Sequence, residues 1–112
     1  MAQFDVHQNR GRNRVAIPYV VVVQTSRLDG LPTRLEIPLM MPSPTYRRDP
    51  RLAPALMVEG HEVVLHAWEM QAAPLNSLVP MVASLADDNA ATQIIRAIDE
   101  VISRALGRSP TP

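Results

Sequence analysis

The chain has 112 residues and contains no cysteine and no lysine. Without cysteine there is neither a disulfide framework nor a thiolate metal site. Without lysine every one of the eleven basic residues is an arginine, a planar and permanently charged fork suited to carboxylates. Charge of one sign is also missing in excess: eleven Asp and Glu balance those arginines to a net charge of zero. That balance argues against nonspecific binding to nucleic acid or to an anionic membrane, both of which favour surplus positive charge. Only four glycines occur, and none builds a phosphate-cradling loop or a Gly-x-Ser-x-Gly elbow. The longest apolar run, residues 15–23, is interrupted by Pro18 and reaches about half of the roughly 20 residues that span a bilayer. Phe4 is followed at once by Asp5 and His7, so no signal peptide is expected at the start, and the expected location is the cytoplasm.

What is present fits one small globular domain, residues 1–107, followed by a disordered tail, residues 108–112. Apolar residues make up 46% of the chain, enough for a modest core but not for a large cofactor cavity. No cofactor is expected. Phe4 and Val6 alternate with polar neighbours, as in a half-buried strand, and the polar residues 8–14 read as a hairpin connection. The β-branched residues 15–24 predict a strand buried on both faces or covered by a partner, with Pro18 at an edge or bend. In residues 33–39, Leu35, Ile37 and Leu39 alternate with Arg34 and Glu36, which predicts a strand with its apolar side inward and its charges outward.

Prolines 42, 44, 50 and 54 and arginines 47, 48 and 51 mark residues 42–54 as an irregular surface excursion. A hairpin turning at Gly60 and His61 follows, and a short extended segment is expected between Pro74 and Pro80. Asp87, Asp88 and Asn89 can cap a helix, along which Ile94, Ile95, Ile98, Val101, Ile102 and Leu106 recur at helical spacing. A run of antiparallel strands closed by one terminal helix points to a mainly β fold, a small SH3-like barrel with a C-terminal helix.

No catalytic constellation emerges. His7, His61 and His66 do not fall at metal-ligand spacing, and the pairs Asp87/Asp88 and Asp99/Glu100 suit a helix cap and a solvated helix face. Trp68, the single tryptophan, reads as a core residue. The expectation is a protein that binds and does not catalyse, without metal and without direct nucleic-acid binding.

Several landmarks run in order along the chain: Gln3-Phe4-Asp5-Val6, Val23-Gln24-Thr25, and Thr33-Arg34-Leu35 leading into Ile37-Pro38-Leu39. Pro54, Met70, Pro74 and Ile94-Ile95-Arg96-Ala97-Ile98-Asp99 continue the series. Together they resemble the CcdB family, the toxins of bacterial toxin–antitoxin modules. The resemblance implies an SH3-like barrel, a homodimer, poisoning of DNA gyrase through its A subunit, and neutralisation by a CcdA-like antitoxin with which the toxin represses their operon. It implies gyrase contacts at Gln3, Phe4, Thr25, Asp99, Ser103 and Arg104. Ser103-Arg104-Ala105 stand where the best-known member has Trp-Gly-Ile, a departure at the centre of its gyrase contact. Arg10, Arg12 and Arg14 in the first loop and Arg47, Arg48 and Arg51 in the long one would suit an acidic antitoxin tail. Two alternatives stay open: an endoribonuclease of the MazF/Kid type on the same fold, and a non-toxic relative that only partners the antitoxin.

Overall fold

A computed structural model describes residues 2–44, 49–78 and 80–105, with 103–105 described by backbone alone. Among these residues seven antiparallel strands form one curved sheet, a half-barrel, and one α-helix closes it. The strands are β1 (Asp5–Gln8), β2 (Tyr19–Val22), β3 (Thr33–Met40), β4 (Ala55–Val58), β5 (His61–Leu65), β6 (Gln71–Pro74) and β7 (Met81–Ser84), and the helix is α1 (Asp88–Ala105). The sheet runs β4-β5-β3-β2-β1-β7, with β6 also on β3. The mainly β architecture with a C-terminal helix is the one expected from the sequence.

The eight-residue β3 organises the sheet. Along one edge it pairs with β2, from Tyr19 opposite Leu39 to Val22 opposite Glu36. Its other edge is shared: Thr33 to Glu36 pair with β6, and Leu39 and Met40 pair with β5. Pro38 sits at the hand-over. It has no N–H to give a ladder, and its carbonyl accepts from the His66 amide at 3.1 Å. Between β5 and β6 the chain makes a 3-10 turn, Ala67–Glu69.

Inside the curve Val6, Val21, Ile37, Leu39, Val63 and Leu65 are fully enclosed, and α1 lays Ile94 and Ala97 onto them. Asp87 caps the helix as expected, its Oδ1 accepting from the Ala90 amide at 2.9 Å.

Four expectations are corrected. The second strand begins only at Tyr19. Pro18 cannot extend the ladder, the Ile17 amide turns back to Asn13 O (2.8 Å), and Val15 is 86% exposed. β3 is covered on both faces: Ile37 and Leu39 enter the core as expected, but Arg34 and Glu36, on the opposite face, are buried as well, and Leu35, on the core face, is 37% exposed. Both edges of β3 are covered there, so polar partners are at hand. Arg34 donates to the carbonyls of Asp29 (3.1 Å), Leu31 (2.8 Å) and Thr33 (3.0 Å), tying down the preceding turn. The segment between Pro74 and Pro80 is a 3-10 turn, Leu75–Ser77, flanked by β6 and β7. The helix stripe is narrower than the spacing suggested, because Ile95 and Ile102 lie on the outer face.

Candidate protein-interaction site

The start of the chain and the end of β2 meet. Gln3 Nε2 donates to Val23 O at 3.1 Å, two residues before Thr25, and the Phe4 amide donates to Val22 O at 2.6 Å. Phe4 O in turn accepts from the Leu85 amide at 2.9 Å. Both backbone groups of Phe4 are thus committed, one to β2 and one to the segment leading into α1. That pinning holds Phe4 at φ 72°, a left-handed conformation uncommon for an aromatic residue, while its ring packs half-buried against the core. Thr25 stands exposed at the head of a 3-10 turn, Ser26–Leu28, its Oγ1 accepting from the Arg27 amide at 3.3 Å. Gln3, Phe4 and Thr25, read from separate stretches of sequence, therefore share one corner of the fold.

On α1, Asp99 is exposed, and so are Ile95 and Ile102, one turn to either side of it. An acid flanked by two isoleucines at this spacing makes an outward face with an apolar component. The side chains of Ser103 and Arg104 lie outside the described residues, as do Arg47, Arg48 and the tail 108–112.

Arg10, Arg12 and Arg14 are exposed in the β1–β2 loop, as expected. The loop is shaped by Asn9, whose side chain donates to Ile17 O (2.7 Å) and Asn13 Oδ1 (3.1 Å) and accepts from the Gly11 amide (3.0 Å). Arg10 and Arg14 line an open cleft of about 520 Å³ with Tyr19 and Pro18. Arg51 lines another, of about 350 Å³, in which Arg96 of α1 joins it. Nothing in the local sequence pattern shows that residues 50–54 meet the start of the helix beside Arg96. Two arginines on one cleft make a receptive surface for a carboxylate-bearing segment.

Trp68 is not a core residue: it is 44% exposed on the Ala67–Glu69 turn, its ring tilted by 33° against that of His66 with centroids 4.6 Å apart. His66 Nδ1 lies 3.2 Å from Glu69 Oε1. His7 is buried in β1 and His61 is exposed at the head of β5. Among the described residues no group of three or more His, Asp or Glu gathers as metal ligands. No described helix is long and apolar enough to cross a membrane.

The family model of the CcdB protein matches residues 3–103, nearly the whole chain. This chain belongs to the CcdB family. As a CcdB family toxin it is similar in fold to an endoribonuclease in complex with its cognate antitoxin from a mycobacterial species, with a TM-score of 0.71 and 16% identity. The alignment covers 100% of this chain and 99% of that one. At such identity the likeness is one of fold. No curated protein sequence matches this CcdB family member.

Proposed function

We propose that this protein is the toxin of a type II toxin–antitoxin module, that it binds and poisons the A subunit of DNA gyrase, and that it acts by binding and not by catalysis. The match to the CcdB family over residues 3–103 is the observation that carries this reading. Gyrase contacts fall at Gln3, Phe4 and Thr25, at Asp99 on the outer face of α1, and at Ser103 and Arg104. The fixed, left-handed Phe4 supports it, since backbone strain held by several hydrogen bonds is found preferentially where a side chain is presented for function. The exposed isoleucines beside Asp99 supply apolar contact area where the Trp-Gly-Ile ending is missing.

The cognate antitoxin, CcdA-like, neutralises the toxin through an acidic segment laid along the arginine-lined clefts, and the pair represses its own operon. The toxin works as a cytoplasmic homodimer. A supercoiling assay tests the reading. Purified protein at about micromolar concentration inhibits gyrase and added antitoxin restores it; unimpaired supercoiling removes gyrase as the target.

A second reading, an endoribonuclease toxin, is favoured by the fold it shares with the mycobacterial endoribonuclease. Incubation with single-stranded RNA separates the two, because specific cleavage products would establish an enzyme. Growth that is unimpeded by expression without antitoxin would instead establish a non-toxic antitoxin partner.

A further inference from the structure

The sheet ends at β4, whose far edge pairs with no strand among the described residues. The Leu65 amide donates to Pro54 O at 3.0 Å, which fixes the alternation along the β4–β5 ladder. Leu56 and Val58 therefore turn their backbone groups towards β5, and Ala55 and Met57 turn theirs to the open edge. No described residue bonds to the outward N–H and C=O groups of Ala55 and Met57. Edge strands commonly carry a charge, a proline or a bulge that discourages further pairing. Within β4, Ala55-Leu56-Met57-Val58, there is none of these, and Met57 is 60% exposed.

Each end of this edge meets an arginine-lined cleft. At its start Pro54 lines the cleft of Arg51 and Arg96. At its end Glu59 accepts from the hydroxyl of Tyr19 (3.0 Å), and Tyr19 itself lines the cleft of Arg10 and Arg14. No carboxylate lines either cleft; Asp49 lines a neighbouring one instead, with Trp68. The four guanidiniums have no carboxylate partner among the described residues, and those residues include all eleven Asp and Glu of the chain. From Pro54 to Glu59 the edge spans about 17 Å, the reach of about five residues of extended chain.

We infer that the acidic antitoxin segment binds as an added strand on β4, pairing its backbone with Ala55 and Met57 and setting a carboxylate into the arginine cleft at each end. Backbone pairing supplies affinity whatever the side chains, and the charged ends fix the register. A neutral or basic strand would leave the arginines without partners, and an acidic segment that is not extended would reach one cleft only. The inference rests on the toxin–antitoxin reading and does not depend on gyrase as the target.

Residue-resolved amide hydrogen exchange tests it, on the full-length toxin alone and saturated with its full-length cognate antitoxin. The Ala55 and Met57 amides should exchange freely in the toxin alone and slow by about tenfold or more in the complex. The Leu56 and Val58 amides, bonded to β5, should be protected in both. Met57→Pro removes one outward N–H without breaking a ladder bond, and should weaken antitoxin binding about fivefold. R10Q/R14Q and R51Q/R96Q should each weaken it about tenfold. Exchange is measured on the unaltered protein, so it decides the matter even where a variant does not fold. A complex in which Ala55 and Met57 exchange as fast as in the free toxin would overturn the inference and leave the toxin–antitoxin reading standing. Absence of any binding would overturn both. Protection that appears with toxin concentration alone would give the edge to a second copy and overturn its assignment to the antitoxin.

Discussion

Gln71 donates its side-chain amide to Glu36 Oε1 at 3.1 Å, bonding two residues that already face each other across the β3–β6 ladder. Burial is the larger influence on Glu36 and raises its pKa above the ordinary 4.5, while the Gln71 bond and the nearby His7 pull it down by less. A carboxyl with a raised folded-state pKa holds its proton longer in the folded chain than in the unfolded one. Its contribution to stability is whole below the ordinary value and is lost as pH rises through the raised one. Glu36→Gln, which stays neutral and can still accept from Gln71, should be more stable than the wild type at neutral pH. Denaturant unfolding at pH 7 and at pH 4 checks this: the advantage should shrink on acidification, and a less stable variant at pH 7 would refute it.

Arg34 secures the turn before β3 from inside the protein. Its bonds to the carbonyls one, three and five residues back would all be lost in Arg34→Met, leaving those of Asp29 and Leu31 without this donor. The expected cost is about 2–4 kcal/mol, read as a fall in the urea midpoint. Arg34→Lys should recover only part of it, since one ammonium cannot reproduce the fork.

The β4–β5 hairpin turns through Glu59 at φ 52° and Gly60 at φ 81°, both left-handed. Two consecutive residues of this kind give a turn whose twist matches that of the strands it joins. A Cβ at Gly60 would meet nothing within 4 Å, so the cost of Gly60→Ala is one of backbone conformation alone, about 1 kcal/mol. Gly60→Asn should lose less, because asparagine tolerates this region. Thermal melts of the two variants give the order directly.

Neighbouring isoleucines on α1 should behave in opposite ways. Ile94 is fully buried, and Ile94→Ala should cost about 3 kcal/mol through the lost contacts and the cavity left behind. Ile95 is 48% exposed, and Ile95→Ala should change stability by no more than about 0.5 kcal/mol. If the outer face of the helix meets gyrase, Ile95→Ala and Ile102→Ala should nonetheless weaken inhibition of supercoiling. Unfolding curves and the supercoiling assay on the same preparations separate packing from contact.

Local pattern carried most of the element types. The Asp87 cap, the Gly60 turn and the β-branched density of residues 19–22 each act within a few residues, so they are visible in sequence. Strands β6 and β7 were not: Gln71–Pro74 and Met81–Ser84 have little β-branched character and exist because β3 and β1 offer them open edges. At the candidate site, Gln3, Phe4, Thr25 and the loop arginines could be named in advance, but Arg96 beside Arg51 and Trp68 beside Asp49 could not. Those pairs depend on where the loop before β4 crosses the helix.

By itself the sequence determined the class of fold, the helix and its cap, the absence of thiolate chemistry, and membership of the CcdB family, because these follow from residue type, spacing and order. Tertiary structure alone decided which residues on each face are covered. Arg34 and Glu36, on the face of β3 opposite Ile37 and Leu39, are buried because the preceding turn and β6 supply hydrogen-bond partners that offset the cost of burying charge. Ile95, Ile102 and Trp68 were left outward because the core was already filled by Ile94, Ala97 and the strands beneath them. Periodicity counts how many apolar residues a face can hold; only the packed neighbours determine how many of them are covered.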